Sequence, residues 1–363
     1  HGGPVVMQML LRRCLELGAR LAEPGEFTRR AYLNDKLDLA QAEAVADIIE
    51  AATETAAQCA LRSLRGDFSR AIDLLVKELL ELRIRVEASL DFPEEEIDEA
   101  DQREILDRHR TLRAAVQGAL ERGRQGSILR SGLQVVLAGQ PNVGKSSLLN
   151  RLAGEEVAIV TPIPGTTRDA LKQTIQISGV PINIIDTAGL RDASNEVETI
   201  GMQRTWDAIG KADVLLLVVD AATGVTAEDD AIVAGLPPGL KRFTLLNKID
   251  LGQFAPGVRV VDGAECVFIS ALTGAGLDQL RRVLLDAAGW QSTGEGIFMA
   301  RERHLVALEA AARCLDPATA ALNRPELLAD DLRRAHENLS RITGEFTADD
   351  LLGEIFSRFC IGK

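Results

Sequence analysis

The chain has 363 residues, of which 46% are apolar and 26% charged, close to an average globular protein. Its formal net charge of −13 argues against general phosphate neutralisation of nucleic acid, although a local basic surface stays compatible with it. Five cysteines without C-x-x-C spacing favour a reducing compartment, and the longest apolar run, residues 214–219, is too short to span a membrane. We therefore expect a cytoplasmic protein of two or three domains without a membrane segment. Because the chain does not begin with methionine, we also expect a segment to precede His1.

Apolar residues recur at three- and four-residue steps from 37 to 92, which predicts two long helices separated at Gly66. A further helix is expected to end near Gly123 and Gly126.

Between Leu133 and Trp290 short Val-, Ile- and Leu-rich runs alternate with helical stretches. Runs of this length, apolar throughout, predict buried strands of a mostly parallel sheet. They cover residues 133–138, 182–185, 214–219, 243–246 and 267–269.

Helical patterns return after Trp290 and predict two apolar faces. The first comprises Leu305, Leu308, Ala312 and Leu315, and the second Leu328, Leu332, Ala335, Leu339 and Ile342. The simplest arrangement packs the two helical flanks against each other, with the α/β segment inserted between them in sequence. Two separate small bundles are the alternative.

A phosphate-binding motif follows the first predicted strand. Residues 139–146 match G-x-x-x-x-G-K-[ST] and open a helix, whose N-terminus favours anions. Lys145 is expected to reach the β- and γ-phosphates, and Ser146 to ligate Mg²⁺.

Three further motifs follow later strands: one would reach the metal and the γ-phosphate, and the other two would contact the base. A D-x-x-G segment begins at Asp186, and an N-K-x-D segment places a carboxylate at Asp250, which can accept from N1–H and N2–H₂ of guanine. Ser270 and Ala271 would back the base. Together the motifs predict a guanine-nucleotide site formed by Asn142, Val143, Gly144, Lys145, Ser146, Ser147, Asp186, Thr187, Ala188, Gly189, Asn247, Lys248, Asp250, Ser270, Ala271 and Leu272.

The residue that orients the attacking water is less evident from the pattern. Leu190 stands where signalling GTPases often place a glutamine, and a leucine cannot orient water. Nearby candidates are Arg191, Asp192, Glu196 and Glu198. The sequence identifies no arginine finger.

Several segments resemble known GTPases. Asn142, Leu190 and residues 165–169 resemble the TrmE-Era-Era-like-septin class. Residues 33–44, 90–93 and 360–363 are similar to the MnmE family, also called TrmE, of tRNA modification GTPases. This resemblance runs over essentially the whole chain.

The resemblance implies a multidomain fold. Residues 1–34 would be the C-terminal part of an α+β domain that binds folate and forms a homodimer. Residues 35–130 and 293–363 would form a discontinuous helical domain, and residues 131–292 an inserted Ras-like P-loop G domain.

The resemblance also implies an activity. With the flavoprotein MnmG, members add an aminomethyl or carboxymethylaminomethyl group at C5 of the wobble uridine of certain tRNAs. The implied cofactors are GTP/GDP, Mg²⁺, K⁺ and 5-formyl-tetrahydrofolate or a related folate. Whether formyl- or methylene-tetrahydrofolate donates the carbon stays open.

Roles for individual residues follow from the same resemblance. K⁺ would take oxygen ligands from Asn142, Thr161, Ile163 and Thr166 and replace the arginine finger. The segment Thr161, Pro162, Ile163, Pro164, Gly165, Thr166 and Thr167 would contact the nucleotide. Thr167 would join Ser146 on Mg²⁺, and Glu198 would orient the attacking water, so that Glu198, Lys145 and Thr167 are the implied catalytic residues. Dimerisation of G domains would order these loops. Lys36 and Lys363 match folate contacts, and Cys360 is a candidate only.

Two other functions remain open at this point. One is a switch that sets a partner's affinity, as in an Era-like ribosome-assembly factor, which would be expected to carry a basic RNA-binding domain. The other is a structural helical dimer with a degenerate G domain, against which intact Lys145, Ser146, Asp186 and Asp250 argue.

Overall fold

The computed structural model describes residues 3–91, 99–155, 172–186, 209–210, 212–237, 239–261, 263–291, 296–316 and 324–344. The helices in this part of the chain are α1 Pro4–Glu16, α2 Glu26–Leu33, α3 Leu39–Glu50, α4 Glu54–Leu64, α5 Asp67–Asp91, α6 Glu99–Ser131, α7 Lys145–Glu155, α8 Ala227–Ala234, α9 Leu277–Ala287, α10 Glu302–Cys314 and α11 Pro325–Thr343. The strands are β1 Leu133–Ala138, β2 Lys172–Ile177, β3 Val180–Asp186, β4 Val214–Asp220, β5 Lys241–Asn247, β6 Gly257–Val261 and β7 Ala264–Phe268. None of the described helices is long and apolar enough to cross a membrane.

The chain divides into two compact units. The first comprises His1–Ile49, Ala60–Leu120 and Arg303–Lys363, and the second Glu50–Cys59 and Glu121–Glu302. The described residues of the first unit are mainly helical, and the second holds the sheet.

In the first unit, α5 from one flank packs along α11 from the other. Both helices carry apolar side chains at three- and four-residue steps, so each presents one continuous face to its partner. The buried residues are Ile72, Leu75, Leu79, Leu82 and Val86 of α5 and Leu328, Leu332, Ala335, Leu339 and Ile342 of α11. The predicted insertion of the sheet domain into a discontinuous helical domain is confirmed, and the alternative of two separate bundles is wrong.

Three details of the helical prediction are wrong. Residues 37–92 contain three helices rather than two, because the helical structure breaks between α3 and α4. Thr53 caps the start of α4: its hydroxyl accepts from the backbone N–H of Ala56 at 3.1 Å. Helix α6 continues through Gly123 and Gly126 to Ser131. The third concerns the apolar face at α10: Leu308 and Leu315 are buried as predicted, but Leu305 and Ala312 are half-buried. The buried side chains of the helix are His304, Ala307, Leu308 and Ala311.

The sheet of the second unit has seven strands in the order β2-β3-β1-β4-β5-β7-β6. The five central strands run parallel, and β2 and β6 pair antiparallel at the two edges. All five predicted strands are present, but the sequence pattern missed β2 and β6. Edge strands lack a continuous apolar run: β2 alternates polar and apolar residues, and β6 is largely exposed.

Because the five central strands are parallel, their carboxyl ends lie at one edge of the sheet. The segment 139–144 follows β1 there, Asp186 is the last residue of β3, residue 248 follows β5, and Ile269 follows β7. This edge brings together the motifs that are distant in sequence.

Candidate guanine-nucleotide site

The phosphate-binding loop turns sharply between β1 and α7. Asn142 and Gly144 have positive φ angles of 63° and 101°. A Cβ on Gly144 would lie 2.3 Å from the side-chain nitrogen of Asn247, so only glycine fits at this position. The loop therefore delivers the chain into α7 with Lys145 as its first residue and Ser146 exposed beside it.

The ammonium group of Lys145 lies over the loop itself. Its Nζ donates to the backbone carbonyl oxygens of Gly139 at 2.7 Å and Gln140 at 2.8 Å. A positive charge held here stands next to the N-terminus of α7, where backbone N–H groups and the helix dipole also favour an anion. The arrangement suits the phosphates of a nucleotide.

Asn247 joins the phosphate-binding loop to the loop after β7. Its side-chain amide is 2% exposed, donates to the carbonyl of Val143 at 2.8 Å and accepts from the N–H of Ala271 at 2.9 Å. One buried amide thus fixes the distance between the phosphate end and the base end of the site.

Lys248 and Asp220 form an ion pair at the ends of neighbouring strands. Lys248, with a φ of +66°, places its Nζ 2.9 Å from Oδ2 of Asp220. The hydrogen bond from Lys248 and another from the N–H of Ala222 lower the pKa of the Asp220 carboxyl. Lys248 is consequently held across the carboxyl ends of β4 and β5.

The carboxylate of Asp250 is oriented by Ser270. The Ser270 hydroxyl donates to Oδ1 of Asp250 and accepts from the N–H of Thr273 at 3.1 Å. Asp250 itself is exposed, so it can meet a ligand at the surface of the sheet edge. A fixed carboxylate with this exposure suits the N1–H and N2–H₂ donors of guanine.

Besides the ion pair of Lys248 with Asp220, two further contacts of the site were missed by sequence reasoning. Arg151 of α7 donates from Nη2 to the carbonyl of Leu272 at 2.6 Å, which ties the loop after β7 to the phosphate-binding helix. Gln140 donates from its side chain to the hydroxyl of Thr226 at 2.7 Å. Both pairs are far apart in sequence and belong to no spacing pattern.

The structure leaves part of the predicted site outside the described residues. These positions are Thr161, Pro162, Ile163, Pro164, Gly165, Thr166, Thr167, Thr187, Ala188, Gly189, Glu198, Cys360 and Lys363. Of the predicted folate residues, Lys36 is described and is exposed in the turn after α2, where its N–H donates to the carbonyl of Ala31 at 2.9 Å. The described residues contain no group of three or more His, Cys, Asp or Glu side chains placed to hold a metal ion.

The parallel sheet, the phosphate-binding loop and the N-K-x-D segment at its carboxyl edge define a P-loop GTPase. A protein-family model described as the MnmE helical domain matches residues 39–360 of the sequence. A second family model, described as the GTP-binding protein TrmE N-terminus, matches residues 1–36. The chain belongs to the MnmE family.

Individual relatives are named as tRNA modification GTPases of this family. The tRNA modification GTPase MnmE of Chromobacterium violaceum is 58% identical over 363 residues, which are 100% of this chain and 81% of that protein. The protein of the same name from Nitrosomonas europaea is 57% identical and covers 100% of this chain and 82% of its own length. Among solved structures, a point variant of Aquifex aeolicus Era bound to GDP.AlF4- is 27% identical over 50% of this chain and 66% of that chain, with a TM-score of 0.32.

Proposed function

We propose that this chain is a K⁺-activated GTP hydrolase of the cytoplasm that acts with the flavoprotein MnmG. The pair would add an aminomethyl or carboxymethylaminomethyl group at C5 of the wobble uridine of certain tRNAs. The GTPase part rests on one observation, the placement of Lys145, Asn247 and Asp250 along a single sheet edge. The tRNA part rests on membership of the MnmE family.

The chain's own residues would bind the two ends of GTP. Lys145 and the first N–H groups of α7 would meet the phosphates, and Asp250, oriented by Ser270, would accept both donors on the edge of guanine. Adenine lacks that donor pair, so the carboxylate would lose both hydrogen bonds from the base, which costs about 1–3 kcal/mol.

The residues at the phosphate end fit hard cations. Ser146 is an exposed hydroxyl at the start of α7, and Asn142 presents an exposed amide from a left-handed loop position. We expect Ser146 and Thr167 to hold Mg²⁺, and Asn142, Thr161, Ile163 and Thr166 to hold K⁺. When bound, the two cations supply positive charge at the phosphate oxygens, the task of an arginine finger elsewhere.

Glu198 would orient the attacking water. The water oxygen then bonds to the γ-phosphorus, the bond from that phosphorus to the bridging oxygen breaks, and GDP and inorganic phosphate leave. Closure of two G domains onto each other across the nucleotide would bring the loop with Glu198 into place, so hydrolysis would depend on this dimerisation.

The one-carbon chemistry would lie in the homodimer formed by the domain that ends at residue 34. Lys36, whose exposed ammonium can pair with a carboxylate, would contact 5-formyl-tetrahydrofolate or a related folate together with Lys363. Cys360 is a candidate participant.

The experiment that tests the hydrolase compares GTP turnover in K⁺ and Na⁺ buffers for the wild type, Asn142→Ala and Glu198→Ala. Asn150→Ala, an exposed asparagine of α7, and Glu265→Ala, an exposed glutamate of β7, serve as matched controls. K⁺ should accelerate the wild type and both controls, Asn142→Ala should abolish the acceleration, and Glu198→Ala should bind GTP but turn over slowly. Equal rates in both salts with an unaffected Glu198→Ala would show that the cation mechanism is wrong.

The tRNA reaction needs its own test. The chain is expressed with the rest of its folate-binding domain and incubated with MnmG, GTP, unmodified tRNA and either formyl- or methylene-tetrahydrofolate. The wobble nucleoside is then identified by mass spectrometry. The donor whose carbon appears at C5 is the substrate. Absence of the product with both donors, while GTP is hydrolysed, would leave a GTPase without the proposed modification.

A further inference from the structure

A hydrogen-bonded chain of three side chains reaches the phosphate-binding loop from the segment that follows β4. Nε2 of Gln140 donates to the hydroxyl oxygen of Thr226 at 2.7 Å. The same hydroxyl donates to Oδ2 of Asp229 at 2.9 Å. Gln140 is the second residue of the phosphate-binding motif, whose consensus allows any residue there.

Asp229 is fixed in the first turn of α8. It is 1% exposed, and its Oδ2 also accepts from the backbone N–H of Thr226 at 3.1 Å, one half of a capping box. Among the described residues its other oxygen, Oδ1, has no hydrogen-bond partner. A buried carboxylate satisfied mainly through Thr226 restrains the Thr226 hydroxyl to one orientation.

Gln140 transmits this restraint to the lysine that meets the phosphates. Its side chain is held by Thr226, and its backbone carbonyl accepts from Nζ of Lys145 at 2.8 Å. The opposite end of the loop is held at Val143 by Asn247. The loop is therefore attached at two points, and the one at Gln140 is adjacent to the Lys145 ammonium.

We propose that Thr226, held by Asp229, is a positioning residue that sets the phosphate-binding loop through Gln140 and so places the Lys145 ammonium for GTP. Lys145 reaches both terminal phosphates, so a loss of position weakens GTP binding more than GDP binding. The inference deepens the proposed nucleotide site and rests on it.

Gln140→Met separates this role from helix capping. Methionine keeps the length of the side chain but removes the amide, and it leaves in place both bonds that Oδ2 of Asp229 accepts from Thr226. Gln134→Met is the matched control, because the Gln134 amide donates to the carbonyl of Ser131 at the opposite end of β1. Affinities for GTP and GDP, GTPase kcat and KM, and the melting temperature are measured in the full chain.

Gln140→Met should weaken GTP binding about tenfold and GDP binding less, at an unchanged melting temperature. Thr226→Val should lower both GTP affinity and melting temperature, because it also leaves Asp229 short of a partner, and Thr226→Ser should restore both. Gln134→Met should match the wild type.

GTP affinity of Gln140→Met within twofold of Gln134→Met would overturn the inference, as would equal losses for GTP and GDP. Lys145→Ala distinguishes this failure from failure of the site itself. If Lys145→Ala abolishes tight GTP binding while Gln140→Met matches its control, only the positioning role is wrong. If Lys145→Ala binds GTP normally, the proposed nucleotide site is wrong, and the positioning role with it.

Discussion

Arg303 and Glu43 form a two-point ion pair inside the helical unit. Nε and Nη2 of Arg303 donate to Oε1 and Oε2 of Glu43 at 2.9 and 2.8 Å, and Glu43 is 1% exposed. Nε2 of His304 lies 2.9 Å from Oε2 of the same carboxylate. The guanidinium also donates to the carbonyls of Arg341 and Ile342 in the last turn of α11, at 3.0 and 3.1 Å. The Glu43 carboxylate therefore joins α3 to α10, and the Arg303 guanidinium joins α10 to α11.

Removing the charge of Glu43 should destabilise the helical unit strongly. Burial raises the pKa of the Glu43 carboxyl, but the hydrogen bonds and charges of His304 and Arg303 outweigh burial and hold the pKa below its ordinary value. We expect Glu43→Gln to lower the free energy of unfolding by about 3 kcal/mol, because it removes the buried carboxylate that pairs with the half-buried guanidinium of Arg303. Urea unfolding followed by circular dichroism measures the loss.

The matched control for that substitution is Glu337→Gln. Glu337 pairs with Arg333 on α11 in an ion pair whose side chains are 45% and 44% exposed. An exposed pair contributes under about 1 kcal/mol, so this variant should unfold close to the wild type. Equal losses for Glu43→Gln and Glu337→Gln would contradict a structural role for the buried pair.

Asp250 should decide which base is bound. Asp250→Asn replaces an acceptor by an amide that can donate, and xanthine offers an acceptor where guanine has the N2 amino group. We expect GTP affinity to fall about 10- to 100-fold and the affinity for xanthosine triphosphate to rise. Competition of the two nucleotides against a fluorescent guanine nucleotide measures both.

Asp278→Asn controls for the loss of one charge in the same unit, because Asp278 is an exposed residue of α9. Its nucleotide preference should equal that of the wild type. If Asp250→Asn keeps that preference too, Asp250 does not contact the base.

The parts of the fold and site that the sequence predicted are those with local patterns. The phosphate-binding loop is contiguous, and the α5 and α11 faces follow from helical periodicity. The contact between Gln140 and Thr226 joins residues 86 positions apart and depends on where β1 and β4 lie in the sheet. No pattern in one sequence carries that information.

Gly126 shows why a local pattern can also mislead. Glycine favours a helix end, yet Gly126 lies inside α6. Another segment of the same unit passes very close to this position. A Cβ at this position would lie 1.8 Å from the carbonyl oxygen of Phe298. The glycine is required by tertiary contact, which sequence periodicity does not reveal.

Gly126→Ala should therefore be strongly destabilising. The clash is with backbone that cannot rotate away, so we expect a loss of about 2–4 kcal/mol or failure to accumulate folded protein. Gly154→Ala is the matched control, since this α7 glycine has nothing within 4 Å of an added Cβ and alanine favours helix. Melting temperatures should fall for Gly126→Ala and stay or rise slightly for Gly154→Ala. A fall of similar size in both would show that the contact with Phe298 is not tight.

His109 should make stability depend on pH in mildly acidic solution. This residue of α6 is 2% exposed, and burial, followed by the charge of Arg113, lowers the pKa of its imidazole below the ordinary 6.5. Below about pH 6.5 the unfolded chain then binds a proton that the folded chain does not, so folding stability falls as the pH falls.

His109→Gln, which carries no charge at any pH, should flatten this dependence between pH 7.5 and 5. The carboxyl of Glu43 does not interfere, because a carboxyl whose folded pKa lies below its ordinary 4.5 loses its stabilising effect only below about that pH. Melting temperatures at pH 7.5, 6.5 and 5.5 test the prediction. If burial keeps the imidazole neutral, the melting temperatures of the wild type and His109→Gln should converge as the pH falls. A constant difference between the two melting temperatures at all three pH values would mean that His109 contributes packing but no proton linkage.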